Sequence, residues 1–149
     1  RGDGGARPWV VWPKPGPVWI EADALLLEHL INNLVSNALD WAQQGKARAQ
    51  VQVQVTVDAD QHLAGLVVSD SGPGVNEEDQ AHIFNAFVSL KEGGMGMGLA
   101  ICRSITEAHH GSIGVERDAH LGGARFTVWL PLAKGPPTPT PLAFFQSSE

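Results

Sequence analysis

Apolar residues recur at spacings of three and four through Leu26, Leu30, Leu34, Ala38 and Trp41, the period of a helix with one buried face. The pattern predicts a helix over Ala24–Gln43, with Asp23 as its N-cap and Gly45 as the break that follows. The period then changes to two. Valine alternates with polar residues over Val51–Val57, as in a strand with one face buried. A second strand, Leu63–Ser69, follows a turn at Asp58–His62. Glu77–Asn85 is expected as a short helix, and Gly98–His110 as a longer one ending at Gly111. Ser112–Arg117 and Ala124–Leu130 are the last two strands, joined through Leu121-Gly-Gly. Near the start, Trp9–Trp12 and Pro17–Ile20 are expected as short strands joined by Pro-Lys-Pro-Gly-Pro, with the prolines restricting them to sheet edges. Helices interleaved with a mainly antiparallel sheet define an α+β fold, a two-layer sandwich.

Composition narrows the class. The 149 residues, 43% of them hydrophobic, suit one domain with a sizeable core. No apolar run approaches the ~18 residues that a membrane span needs. A net charge of -6 sets the overall field against nucleic acid and anionic membranes, although backbone dipoles and a metal ion can still hold a polyphosphate locally. Cys102 is the lone cysteine, which excludes an internal disulfide and fits a reducing compartment. Gly and Pro are frequent in residues 1–17, and Pro-Pro-Thr-Pro-Thr-Pro marks residues 133–149 as a linker or tail. The folded unit is expected over residues 18–132.

Three stretches carry candidate chemistry. On the first helix Asn33 and Asn37 are four residues apart, about 40° around the axis. A carboxamide oxygen is a hard, neutral ligand suited to magnesium that also leans on substrate phosphates; alone, the row suits a plain polar face better. Val67-Val-Ser-Asp-Ser-Gly-Pro-Gly-Val75 delivers Asp70 to a strand end, and Gly72 and Gly74 then allow a tight turn or close backbone approach. A carboxylate only accepts hydrogen bonds, which suits an exocyclic amine such as that of adenine. Lys91-Glu-Gly-Gly-Met-Gly-Met-Gly-Leu-Ala-Ile101 places Gly94, Gly96 and Gly98 before a helix, where backbone N–H groups can gather a phosphate without net positive charge. A Walker loop is excluded, because no Gly-Lys-Ser or Gly-Lys-Thr occurs.

In order and spacing these stretches resemble the histidine-kinase branch of the GHKL ATP-binding superfamily. Asn33 and Asn37 match its asparagine box; Asp70, Gly72 and Gly74 match its first glycine box. Phe84 and Phe87 match the phenylalanine motif of its lid, and Gly94, Gly96 and Gly98 the second glycine box. The short lid and the Met-Gly-Met-Gly-Leu run look closest to sensor kinases of the oxygen- and dicarboxylate-sensing kind. The resemblance implies a Bergerat-type sandwich with a mobile ATP lid over residues 75–93. It implies ATP and Mg2+ as bound groups, with Asn37 as the metal ligand and Asn33 supporting the phosphates. Asp70 would accept from the adenine amine, and Gly72 and Gly74 would let the backbone approach the ring. Gly94, Gly96, Met97, Gly98 and Leu99 would line the phosphates, and Lys91 would reach the terminal one. Catalysis would rest on Asn33, Asn37 and Lys91.

Family members phosphorylate a histidine in a separate helical dimerisation domain, and none of the six histidines here has that domain's motif context. The chain is therefore expected to be a monomeric cytoplasmic domain of a larger sensor protein, without membrane contact of its own. Its expected partners are the parent's dimerisation domain and a downstream response regulator. Two alternatives stand beside this reading. A GHKL ATPase needs a glutamate one turn before the metal asparagine, and that position holds Asn33; Glu28 lies nine residues from Asn37, about 180° around the axis. A nucleotide-responsive module without phosphotransfer is the other, suggested by Leu90 and Ala124, where relatives often carry a hydroxyl and a threonine; at Asp40 some relatives carry a basic residue.

Overall fold

Helix α1 (Ala24–Ala42) begins where the Asp23 carboxylate accepts from the N–H groups of Leu25 and Leu26 at 3.0 and 3.1 Å, satisfying two of the donors that every helix start leaves open. It buries Leu27, Leu30, Ile31, Leu34, Val35, Ala38, Trp41 and Ala42. The stripe therefore runs through Leu27 and not Leu26, which is 41% exposed. The reason is angular: Leu27 lies about 20° around the axis from Leu34, whereas Leu26 lies about 80° away.

The computed structural model describes residues 9–11, 18–45, 48–85 and 98–133. The turn Pro-Lys-Pro-Gly-Pro, the residues Phe87, Ser89, Leu90, Lys91, Gly94, Gly96 and Met97, and the proline-rich tail lie outside the described residues.

Strands β1 (Trp9–Val11), β2 (Gln50–Asp58), β3 (Leu63–Asp70), β4 (Ser112–Arg117) and β5 (Ala124–Pro131) form a five-stranded sheet in the order β1-β2-β3-β5-β4. β1 pairs with β2 in parallel, at one edge; the other ladders are antiparallel. Helices α1 and α3 (Gly98–Ala108) pack on each other and on the sheet. The two-layer α+β sandwich expected from the periodicity is the fold that forms. Its core joins Leu30 and Leu34 of α1 to Val51, Val68, Phe126 and Val128 of the sheet.

Three local expectations are corrected. Pro17–Ile20 does not add a strand: of its described residues, only Ile20 makes a bridge, to Leu132. The short helix α2 covers Glu77–Gln80 alone, followed by turns through Asn85. Ile83 and Phe84, in the turns that follow, are both buried. α3 ends at Ala108 in a two-bond cap, His110 N–H to Glu107 O at 3.0 Å and Gly111 N–H to Thr106 O at 2.9 Å. The left-handed residue of that cap is His110, with φ 65°, and not Gly111. Gly111 is needed for another reason: a β-carbon there would overlap the Trp129 carbonyl oxygen.

Candidate functional site

β3 is buried along most of its length and delivers Asp70 to its end, fully enclosed. There one carboxylate oxygen is saturated. Asp70 Oδ1 accepts from the Gly72 N–H at 2.9 Å and from the Ala124 N–H at 3.2 Å. Asp70 Oδ2 is buried and has no hydrogen-bond partner among the described residues. A buried acceptor left open costs free energy that a donor from a ligand would recover. Burial raises the Asp70 pKa above its ordinary 3.8, the two backbone donors pull it down, and the negative charge of Asp118 adds to the rise.

The turn after Asp70 is shaped by close approach. A β-carbon on Gly72 would stand 2.5 Å from the Trp41 carbonyl oxygen, and one on Gly45 would stand 2.5 Å from the Ser71 carbonyl oxygen. One on Gly123 would overlap Asp70 O and Oδ1. Three glycines thus let the end of α1, the β3 turn and the β4–β5 loop meet around one carboxylate. Gly74 has ample space but a φ of +82°, a conformation costly for residues with a β-carbon. Ser71 ties the turn to β2: its Oγ accepts from Gln50 N–H at 2.8 Å and donates to Arg48 O at 3.0 Å.

The asparagine row leads to the same place. Asn33 and Asn37 are half-buried on α1, and Trp41, one turn beyond Asn37, supplies the carbonyl against Gly72. Asn37 Nδ2 is buried and finds no hydrogen-bond partner among the described residues, so it shares with Asp70 Oδ2 a polar atom left open. Gly98 and Leu99 open α3, and nothing lies within 4 Å of where a Gly98 β-carbon would stand. The described start of the expected lid is anchored, since Val75, Ile83 and Phe84 are buried. Phe84 packs edge-on to Phe126 at 6.0 Å, and Trp41 packs on the same ring at 5.9 Å, so both aromatics are core.

The other candidates resolve as structural. His109 accepts the Asp23 N–H on Nε2 at 3.1 Å, which leaves Nδ1–H to donate to Ile105 O at 2.8 Å. It joins the end of α3 to the start of α1. Burial pushes the Cys102 thiol up to about 12, which leaves it inert. Gly45, Gly123 and the Ala124 N–H escaped sequence reasoning. A Gly-Gly pair signals a turn, but its contact with a carboxylate 53 residues away depends on the pairing of β3 with β5.

The sequence pattern of the family described as histidine kinase-, DNA gyrase B-, and HSP90-like ATPase matches residues 22–134. The chain belongs to that family. Among its relatives, the sensor histidine kinase TmoS of Ectopseudomonas mendocina is 36% identical over 115 residues, 76% of this chain and 12% of that protein. The C4-dicarboxylate transport sensor protein DctS of Rhodobacter capsulatus is 39% identical over 113 residues, 76% of this chain and 17% of that protein. The chain thus spans only a small part of the relatives it matches. Among solved structures, a mycobacterial sensor histidine kinase, MprB, superposes with a TM-score of 0.70 at 25% identity, covering 85% of this chain and 83% of that one. Full-length ShkA in complex with AMPPNP superposes with a TM-score of 0.71 at 28% identity, covering 89% of this chain and 27% of that one. Among the described residues no helix is long and apolar enough to cross a membrane.

Proposed function

We propose that this chain binds ATP with magnesium and passes the γ-phosphate to a histidine on a separate dimerisation domain of its parent protein, feeding a response regulator. The observation that carries the reading is the Asp70 carboxylate, one oxygen saturated by backbone donors and the other buried and open. An exocyclic amine is the complementary donor. The relatives' names as sensor histidine kinases support the phosphotransfer step.

The residues present fit a magnesium ion that takes most of its ligands from phosphates and water. Among the described residues no group of three or more His, Cys, Asp or Glu could hold a metal without such help. Asn37 would be the protein ligand, with Asn33 beside it supporting the phosphates. The ion would supply charge neutralisation along the triphosphate. Gly94, Gly96, Met97, Gly98 and Leu99 would offer N–H groups to the phosphates and Lys91 a charge to the terminal one. A neutral imidazole nitrogen on the acceptor attacks the γ-phosphorus, the bond to the ADP oxygen breaks, and the imidazole proton leaves to water. The chain therefore needs to position, not to supply a strong base. We assign the catalytic unit to residues 18–132, as a cytoplasmic part of a larger sensor.

The experiment is incubation of the chain with radiolabelled ATP, with and without the parent's helical domain. Acid-labile phosphohistidine on the helical domain, formed slowly because no linker raises the effective concentration, is the expected result. Label on a residue of this chain, or rapid ATP hydrolysis without the partner, contradicts the reading. Normal nucleotide binding with an unlabelled partner favours a regulatory binding module.

A further inference from the structure

The loop between β4 and β5 is closed by one residue that the nucleotide reading leaves unused. Asp118 is buried, at 5% exposure. Its N–H donates to Gly123 O and its carbonyl accepts from Gly122 N–H, both at 2.7 Å. Its Oδ2 accepts from Leu121 N–H at 2.6 Å. Arg125, which also pairs with Glu116 at 2.9 Å, places Nη1 4.0 Å from Asp118 Oδ1. Two backbone ties and two side-chain contacts, to Leu121 N–H and Arg125, thus fix this loop on both sides of Gly122, itself at φ +90°.

The loop's far end is the part that touches Asp70. Gly123 lies flat against the Asp70 backbone and side chain, and the next N–H, that of Ala124, occupies Asp70 Oδ1. Gly72 N–H holds Oδ1 from the turn and Ala124 N–H holds it from the loop, so which Asp70 oxygen stays open depends in part on where the loop holds residues 123 and 124. Asp118 also adds a like charge near Asp70, a cost in a buried setting. The backbone bonds would survive a change of side chain; what the carboxylate adds is the bond from Leu121 N–H and the Arg125 contact, which hold the chain on either side of those backbone bonds.

We propose that Asp118 is a positioning residue for base selection: it holds Gly123 and the Ala124 N–H so that Asp70 presents Oδ2 alone to the exocyclic amine of the bound base. The proposal rests on the assignment of Asp70 to adenine recognition.

The test compares affinity of the full chain for Mg-ATP and for purine ribonucleoside triphosphate, which carries hydrogen where adenine carries its amine. The parent chain should favour ATP. In Asp118→Ala, ATP affinity should fall about tenfold while the analogue changes less than about threefold, because only the amine's charge-assisted bond is misdirected. Asp118→Asn keeps an acceptor for Leu121 N–H and should retain most of the selectivity; Asp118→Ser, a weaker acceptor, should fall between them and provides the comparison if the alanine variant does not fold. Amide exchange at Ala124 should quicken in step with the loss of selectivity. Equal losses for both nucleotides, or selectivity unchanged across the series, overturn the proposal. A parent chain that binds both nucleotides equally refutes the adenine assignment itself, an outcome distinct from the first two.

Discussion

The Trp41 carbonyl oxygen stands 2.5 Å from where a β-carbon on Gly72 would lie, so the asparagine-bearing helix and the Asp70 turn meet backbone to backbone. Both atoms belong to main chain, so neither can swing aside. Gly72→Ala should force the turn from α1 and lower stability by about 1–3 kcal/mol, with loss of ATP binding. Gly74→Ala meets nothing closer than 3.7 Å and should cost only the left-handed strain, about 1–2 kcal/mol. Denaturant melts and ATP titrations of both variants check the pair; intact ATP affinity in Gly72→Ala would contradict the contact.

Asp70 trades stability for recognition. Because burial raises its folded pKa above 3.8, it binds its proton more tightly folded than unfolded. Its contribution to stability is present below the ordinary value and is lost as pH rises through the folded value. The ionised group therefore burdens the nucleotide-free fold at neutral pH. Asp70→Asn should keep or raise Tm at pH 7 and bring no such gain at about pH 3, while ATP affinity drops. In the parent chain, ATP should be favoured over GTP by on the order of 2–3 kcal/mol, since the guanine carbonyl meets Asp70 lone pair to lone pair. A lower Tm for Asp70→Asn at pH 7 than at pH 3, relative to parent, would contradict the sign.

Asn37→Ala removes a carboxamide whose nitrogen is buried without a hydrogen-bond partner among the described residues, so the fold should be no less stable. Mg-ATP affinity should fall by about tenfold or more, since removing a residue that merely orients a metal ligand already costs about that much. Asn33→Ala should weaken binding less, and the gap between the two should close in EDTA. Unchanged Mg-ATP affinity in Asn37→Ala returns the row to a plain polar helix face.

The cap of α3 offers a test of local reasoning. His110→Gly should raise stability by about 1 kcal/mol by relieving a left-handed residue that carries a β-carbon. Gly111→Ala should lower it, because the methyl group would overlap the Trp129 carbonyl. Thermal melts that rank the two variants the other way would show that the left-handed position had been misplaced.

Local pattern determined the order of elements from α1 onward, the Asp23 cap and the buried face of α1 from Leu30 onward, because these follow from neighbours three and four residues apart, from alternation along one strand or from a capping side chain. It also marked Asn33, Asn37, Asp70, Gly72 and Gly74 as candidates, since each breaks the pattern that packing alone would favour. Tertiary structure decided what no local window contains. The Ala124 N–H reaches Asp70 across 54 positions, Gly123 and Gly45 are glycine because distant carbonyls and a carboxylate occupy the space of their side chains, and Ile83 and Phe84, beyond the end of α2, are both drawn into the core. Sequence specifies which groups can bond; only the paired sheet and the helices laid on it decide which of those groups remain open to a ligand.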